Sequence, residues 1–169
     1  SGGSFLGFGF WKCKNEWKCK PLNDRKTRLY SKCKAVLIRK KAVATPLEVT
    51  FTKLNQIIRG WINYYRIGSM KTFLTDFGQW LRHKVRVIIM KQWKKPLTIY
   101  RNLMRLNRYC KCNMTHEDIY KVANSRLGWY RRCTGNVVNY ILSPKILATE
   151  NKSRPGLVDP LEYYITPLR

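Results

Sequence analysis

Acidic residues are scarce in this sequence. Its 169 residues include 34 lysines and arginines but only 9 aspartates and glutamates, for a formal net charge of +25 at pH 7. A chain this positive repels itself and attracts polyanions, so nucleic acid is the expected partner. The composition is nevertheless 44% hydrophobic and 13% aromatic, which is enough apolar material for a core and argues against a disordered basic tail. We therefore expect a folded, polyanion-binding protein.

Long hydrophobic runs and secretory signals are also missing. No segment approaches the roughly 18 apolar residues of a membrane span, and we find no signal-peptide hydrophobic region. We therefore expect no membrane partner and no secretion. Of the six cysteines, none forms a Cys-x2-Cys pair, and the sequence has two histidines, so we predict no metal site. The cysteines could be free thiols or could pack as small hydrophobic residues, and the sequence leaves both interpretations open.

Motifs for catalysis are absent as well. The sequence contains no phosphate-binding Walker loop, no Gly-x-Ser-x-Gly elbow and no His-Glu-x-x-His. The adjacent acids Glu117 and Asp118 fit the first turn of a helix, where negative charge is favourable, better than a Mg²⁺ site. We therefore predict no catalytic residue and no cofactor in this chain. Alone, it should bind rather than catalyse.

Apolar residues at steps of three and four predict two long helices on either side of the break at Gly68 and Ser69. The first stripe comprises Leu47, Phe51, Leu54, Ile58, Trp61 and Tyr65, and the second Met70, Phe73, Leu74, Phe77, Leu81, Val85, Ile88 and Ile89. We expect these stripes to pack against each other and leave a positive outer surface. Thr45 should cap the first helix in a capping box with Glu48, and Pro96 should end or kink the second.

The remaining segments are shorter. Ser1–Ser4 reads as a flexible linker, and strands at 5–11 and 17–19 should form a hairpin through the turn at Asn15 and Glu16. A basic helix is predicted from Asn23 or Asp24 to Lys41. Further helices are predicted at 98–106, from a cap at Thr115 through Ser125, at 139–147 and at 157–164.

These elements predict a mainly α fold in three parts. Residues 1–20 would be the linker and a short N-terminal β-hairpin, 21–95 a three-helix bundle, and 96–169 a small helical domain. Residues 77–116 hold ten lysines and arginines and no acid, so this stretch could neutralise several phosphates and bind in a salt-dependent way. The cations could instead be a solvated face, and the interleaved aromatic residues could be core rather than stacking platforms.

Several segments, in order, resemble the C-terminal part of group II intron reverse transcriptases, the intron-encoded maturases. They are Phe5-Leu6-Gly7-Phe8, Leu54-Asn55-Gln56, Arg59-Gly60-Trp61-Ile62-Asn63-Tyr64-Tyr65, Lys91-Gln92-Trp93-Lys94-Lys95-Pro96, Tyr100-Arg101-Asn102-Leu103, Ala123-Asn124-Ser125-Arg126, Gly128-Trp129-Tyr130-Arg131, Gly156-Leu157 and Tyr163-Tyr164. Together these segments cover nearly the whole chain. Each segment alone would be weak evidence for the resemblance, but the ordered set is specific.

The resemblance implies that residues 1–20 hold the last palm hairpin, 21–95 the thumb and 96–169 the maturase domain, called domain X. By the same resemblance, Phe5, Leu6, Gly7 and Phe8 would support the primer end. The fingers and the Tyr-x-Asp-Asp part of the palm, which binds Mg²⁺ in this family, are not in this sequence. A parent protein would be an RNA-directed DNA polymerase, so whether this chain takes part in an enzyme is left open. Its location would be the bacterial cytoplasm or an organelle.

We therefore predict an RNA-binding thumb and maturase module that grips a template–primer duplex and binds group II intron RNA to assist splicing and retrotransposition. The other expected partners are target DNA and the fingers–palm region of the same or another chain, which it could complement. The alternative is a structural RNA-packing protein such as a ribosomal component. The predicted RNA-binding residues are Arg25, Lys26, Lys32, Arg59, Asn63, Arg66, Lys71, Arg82, Arg86, Lys91, Gln92, Trp93, Lys94, Lys95, Arg101, Arg126, Trp129, Tyr130, Arg131 and Arg132.

Overall fold

The computed structural model describes residues 3–166. Within this range a three-stranded antiparallel sheet, in the order β1-β2-β3, precedes ten helices. The strands are β1 (Gly3–Phe5), β2 (Phe8–Cys13) and β3 (Glu16–Pro21). The helices are α1 (Asn23–Val36), α2 (Arg39–Val43), α3 (Leu47–Tyr65), α4 (Lys71–Trp93), α5 (Pro96–Cys110), α6 (His116–Ala123), α7 (Trp129–Arg132), α8 (Asn136–Ile141), α9 (Pro144–Ala148) and α10 (Pro160–Ile165). The predicted mainly α fold with an N-terminal hairpin is confirmed.

The predicted first strand is interrupted. Leu6 and Gly7 form a two-residue turn with φ values of 52° and 85°, and Phe5 pairs with Phe8 across it. Positive φ at both positions matches the twist of a tight hairpin. Of the predicted linker, residues 1–2 lie outside the described residues. The prediction is wrong for Gly3 and Ser4, which pair with Phe10 and Gly9 in β1.

The predicted helix from residue 23 to Lys41 is two helices. Leu37, only 7% exposed, turns into the core at the end of α1, and its amide donates to the carbonyl oxygens of Cys33 and Lys34. Ile38 then adopts an extended conformation with ψ of 115° before α2 begins. Burial of Leu37 therefore outweighs helix continuity at this point.

Helix α3 begins one residue later than its sequence suggests. Pro46, with φ −56° and ψ 141°, occupies the N-cap position. The hydroxyl of Thr45 instead donates to the carbonyl oxygen of Lys41 at 2.8 Å. The predicted capping box between Thr45 and Glu48 is therefore wrong, because the extended proline displaces Thr45 from the cap.

The two predicted apolar stripes supply much of the core. Phe51, Leu54 and Ile58 of α3 are fully buried, as are Phe77 and Leu81 of α4. Helix α1 packs on α3, α2 packs on α4, and the C-terminal α10 contacts both α3 and α4. The stripes are therefore covered mainly by three further helices, and the predicted packing of α3 directly on α4 is limited to contacts such as that between the Trp61 and Phe73 rings, whose centres are 5.4 Å apart.

Prolines set several helix boundaries in the second half of the chain. Helix α4 ends at Trp93, and Pro96 begins α5 instead of ending α4. The helix predicted at 139–147 is divided, because Pro144 begins α9. Pro160 likewise starts α10 three residues after the predicted position. The predicted cap at Thr115 is confirmed, since its side chain accepts a hydrogen bond from the amide of Asp118 at 3.2 Å.

The end of the described chain returns to α3. The side-chain amide of Asn55, a buried residue, donates to Gly156 O at 2.8 Å and accepts from Val158 N at 2.9 Å. Gly156 is needed there, because a Cβ would lie within contact distance of the Ala148 backbone and collide with it. This return joins the last described segment to the central helices, and the predicted division at residues 95 and 96 stays a prediction.

The cysteines fall into distinct environments. Cys33 and Cys133 are completely buried, and burial raises the pKa of each thiol to about 12. They pack as small hydrophobic residues, which is one of the two interpretations that the sequence left open. Cys110 and Cys112 instead lie with their sulfur atoms within bonding distance, so free thiols do not describe this pair. None of the described helices has the length and apolarity to cross a bilayer.

Candidate nucleic-acid interface

Few of the cations have an acidic partner. Among residues 3–166, carboxylate oxygens lie within 4 Å of two basic side chains, with Arg25 3.7 Å from Asp24 and Arg82 3.8 Å from Asp159. Most lysines and arginines in the described range are therefore balanced only by solvent ions. Releasing those ions on binding a polyanion favours association.

A groove of about 430 Å³ runs between α1 and α3. Arg25, Arg28 and Lys32 line its α1 side, at positions that place them on one helix face. Gln56 and Gly60 contribute from α3. The remaining lining residues are Leu6, Leu29, Ile57, Trp61, Tyr64 and Tyr65. This α1–α3 groove combines three cations with an open helical surface, and no residue that lines it carries a carboxylate, although Asp24 lies 3.7 Å from Arg25.

Gly60 is unusual within the groove. It lies inside α3, where glycine costs about 1 kcal/mol relative to alanine. A Cβ added there would meet no heavy atom within 4 Å, so packing inside the protein does not require glycine. The bare backbone leaves space for a ligand to approach the helix closely.

Aromatic side chains fix one end of the groove. The indole Nε1 of Trp61 donates to Arg25 O at 3.2 Å, which joins α3 to α1. The Tyr64 hydroxyl donates to Leu6 O at 3.2 Å, which joins α3 to the first turn. Trp61 is half-buried rather than fully enclosed. These contacts hold the two walls and the hairpin in a fixed arrangement.

Lys26 lies on a different part of α1. Its Nζ is 5.1 Å from the centre of the Phe73 ring, and partial burial together with the charge of Lys20 lowers its pKa. Lys32 and Lys71 are exposed. Lys26 is thus partly engaged within the protein, whereas the other two are open to solvent.

Two predicted RNA-binding residues of α4 have structural roles instead. Arg86 is 7% exposed, and its guanidinium donates to Leu142 O at 2.8 Å and Asn139 Oδ1 at 3.0 Å. Burial lowers its pKa to about 10, which leaves it charged at neutral pH. The side chain of Arg82 is 14% exposed and faces Asp159. Their positions do not support the prediction that Arg82 and Arg86 contact RNA.

The end of α4 mixes structural and open residues. The side-chain amide of Gln92 donates to Thr45 O at 3.0 Å and Ala42 O at 3.3 Å, which ties α4 to α2 and to the loop before α3. Trp93 packs against the core, and Lys91 is half-buried. Lys94 and Lys95 are exposed in the connection to α5, and they remain available to a phosphate backbone.

Three predicted residues, two in the last turns of α3 and one just after it, face the C-terminal segment. Arg66 donates to Thr166 O at 2.9 Å, Tyr163 O at 3.1 Å and Tyr164 O at 3.2 Å. Asn63 Oδ1 accepts from the Tyr163 hydroxyl at 3.0 Å. The guanidinium of Arg59 lies 5.9 Å from the centre of the Tyr163 ring. Arg66 therefore satisfies carbonyl groups at the end of α10, while Arg59 and Asn63 keep exposed surface.

The predicted residues around α7 are also divided. Arg132 donates to the carbonyl oxygens of Leu127 and Ser125, and its guanidinium lies 4.5 Å from the centre of the Trp129 ring. The Tyr130 ring packs edge-on to His83 with 4.1 Å between ring centres, yet half of the residue is exposed. The predicted residues Arg126 and Arg131 are exposed. Of the predicted residues around α7, these two arginines and Tyr130 are the exposed ones.

Comparison with known proteins identifies the central part of the chain. Residues 26–109 match the family model of the group II intron maturase-specific domain. The chain carries a group II intron maturase-specific domain. The match implies an intron-associated maturase role with intron RNA as the partner. A search of curated proteins found no match to the chain.

The matched maturase-specific domain contains α3 and most of α1, although the groove residue Arg25 precedes the match, and it reaches the last turn of α5. It therefore crosses the boundary predicted at residues 95 and 96. Among the residues predicted to support a primer, Phe5 and Leu6 are about two-thirds exposed, whereas Phe8 is buried against Tyr65. Gly7 accepts a hydrogen bond from Leu22 N. Their primer-supporting role stays a prediction.

Several interface candidates in the maturase-specific domain escaped the residue predictions. Arg28, Gln56 and Gly60 line the α1–α3 groove. Arg105 and Arg108 share a shallow basic depression on α5 with the predicted Arg101. Helical spacing from Arg25 and from Arg101 could have identified the arginines. Nothing in the sequence shows that Gly60 lacks an intramolecular contact, because that depends on neighbouring helices. Among residues 3–166 there is no cluster of three metal-ligating side chains.

Proposed function

We propose that this chain is the thumb and maturase module of a group II intron-encoded reverse transcriptase. It binds intron RNA to assist splicing and retrotransposition, and it grips the template–primer duplex during copying. The observation that carries the proposal is the α1–α3 groove, where three cations on α1 face a helical surface opened by Gly60. The family match over these helices supports an intron RNA as the ligand.

The chemistry of the groove suits a phosphate backbone. Arg25 and Lys32 are seven residues apart, or about 10 Å along a helix, so they can engage separate phosphates of one strand. Arginine presents a planar set of donors to phosphate, whereas lysine supplies a compact charge. Gly60 allows the strand to approach α3 between these contacts. In this proposal the cations contact phosphates and not base edges, so the structure of the RNA would supply selectivity.

The test is titration of the full chain with a folded group II intron RNA at several salt concentrations. We compare the Arg28→Gln/Lys32→Gln double variant with a Lys12→Gln/Lys14→Gln variant, which removes the same charge from exposed hairpin positions. If two phosphate contacts are lost, the slope of log affinity against log salt should fall by about 1.4–1.8 in the groove variant. The hairpin variant should keep nearly the wild-type slope.

An equal decrease of this slope in the two variants would show that overall charge, and not the groove, governs binding. A wild-type affinity equal for intron RNA, unrelated RNA and heparin would remove the maturase assignment. In that case co-sedimentation with ribosomes would favour a structural RNA-packing role.

The enzymatic part of the proposal concerns a larger assembly. A fingers–palm region, in the same or another chain, would provide the carboxylates that hold Mg²⁺, and this chain would hold the duplex beside them. Primer extension should therefore require addition of a separate fingers–palm chain. The assay compares the fingers–palm chain mixed with the wild type and the fingers–palm chain mixed with the groove variant. If neither mixture extends the primer more than the fingers–palm chain alone, this part of the proposal is rejected.

A further inference from the structure

A second pocket lies between the start of α5 and the end of α6, and it shares no lining residue with the α1–α3 groove. Its volume is about 620 Å³, and it is lined by Lys95, Pro96, Leu97, Tyr100, Tyr120 and Asn124. The rings of Tyr100 and Tyr120 meet edge to face, with 6.2 Å between their centres. We call this site the tyrosine pocket. Its apolar and aromatic lining distinguishes it from a purely electrostatic surface.

The tyrosine pocket is accessible. Tyr120 is 59% exposed and Leu97 is 58% exposed, although both have large hydrophobic side chains. Tyr100 is half-buried and packs against the core, which fixes one ring of the pair. Asn124 donates its side-chain amide to Tyr120 O at 3.0 Å, which secures the end of α6. An exposed ring beside an anchored ring is suited to receive a flat ligand.

Positive charge surrounds the same rings. Lys95 is part of the pocket, and Lys94 precedes it in the chain. On its other side, Tyr100 also lines a depression with Arg101, Arg105 and Arg108. Glu117 lies one helical turn before Tyr120 on α6, so one carboxylate is near the rings, but neither Glu117 nor Asp118 lines the pocket. The pocket therefore offers aromatic surface with cations placed for a phosphate backbone.

We propose that the tyrosine pocket binds an unpaired RNA base by stacking, while the flanking lysines and arginines contact its phosphates. Every base has an aromatic face, so stacking of this kind tolerates different sequences. The charge around the pocket favours a polyanion over an apolar protein segment. This inference rests on the proposed RNA-binding function and adds a single-stranded segment to the RNA that the module recognises.

The test separates bases from phosphates. An unstructured oligoadenylate of about 8–12 nucleotides is compared with an abasic oligomer of equal length and charge. The wild-type chain should bind the base-bearing oligomer about 5- to 150-fold more tightly. Tyr120→Leu should reduce this ratio by at least about fivefold, whereas Tyr120→Phe should retain it because the ring remains.

Tyr140→Leu is the matched control, because Tyr140 is 56% exposed and lines a different pocket. It should leave the ratio unchanged, and circular dichroism should show native helicity in all variants. If folded intron RNA binds but Tyr120→Leu leaves the base-to-abasic ratio at the wild-type value, the stacking site is rejected while the proposed function stands. That outcome would direct attention to a protein partner for the pocket. Failure of the wild type to bind any RNA would overturn both proposals.

Discussion

The cations of α1 and α4 look alike in the sequence but have different surroundings. Arg28 and Lys32 of α1 are exposed and line the α1–α3 groove. Arg86 of α4 is buried and bonded to the segment at residues 139–142, and Arg82 faces Asp159. The first pair is available to a ligand, and the second holds the protein together.

The difference arises from how much of each helix is covered. Helix α4 contacts α2, α5, α7 and α10, and every residue from Val85 to Met90 is buried. A long basic side chain within that stretch must find partners inside the protein. In α1, two residues, Leu29 and Cys33, are buried, so most of its circumference stays in solvent. Local charge density therefore identifies a binding surface only where the helix is covered on one side.

Removing Arg86 should have the largest effect. Arg86→Ala deletes two hydrogen bonds and leaves the carbonyl of Leu142 without this donor, so we expect unfolding free energy to fall by about 3 kcal/mol. Arg28→Ala, at an exposed position, should change it by less than about 0.5 kcal/mol. Urea denaturation measures both. Similar decreases in unfolding free energy in the two variants would contradict the distinction between the exposed cations of α1 and the structural cations of α4.

Gly60→Ala should separate stability from binding. The added methyl meets no protein atom within 4 Å and removes the helix penalty of glycine, so stability should rise by up to about 1 kcal/mol. The same methyl should weaken binding to intron RNA, because it occupies the open surface of the groove. Thr52→Ala, on an exposed position of α3, is the control for affinity. Unchanged RNA affinity in Gly60→Ala would exclude close approach to α3.

The smallest expected effect concerns His83, which neighbours the buried arginine. Burial, followed by the charges of Arg86, Lys84 and Arg39, lowers its pKa, and its Nε2 has no hydrogen-bond partner among the described residues. The folded state then binds fewer protons than the unfolded state below the ordinary histidine pKa of about 6.5. Stability should therefore decline as the pH falls through this range.

Urea unfolding at about pH 7.5 and about pH 5.5 measures that decline. The unfolding free energy of His83→Gln should decrease less between the two pH values than that of the wild type. His116→Gln, at an exposed position, should keep the wild-type pH dependence. An identical loss in all three proteins would assign the effect to other groups.

Periodicity predicted the central helices because their apolar stripes are long. Phe51, Leu54 and Ile58 recur at helical spacing and are all buried. The breaks between helices were harder to predict, because Leu37 leaves the helix to reach a core built by distant segments.

Only part of the candidate site could be predicted from the sequence. Arg25 and Lys32 were identified from charge, whereas Gly60 became informative once its lack of neighbours was known.

By itself the sequence determined that the chain is helical, basic and related to intron maturases, since these properties follow from residue spacing, charge and ordered motifs. Tertiary structure decided which cations face solvent. Arg86 and Arg28 each carry one guanidinium, and only the packing around them makes one a core residue and the other part of a groove. The physical reason is desolvation. A buried charge needs fixed internal partners, whereas an exposed charge can exchange its counterions for phosphates.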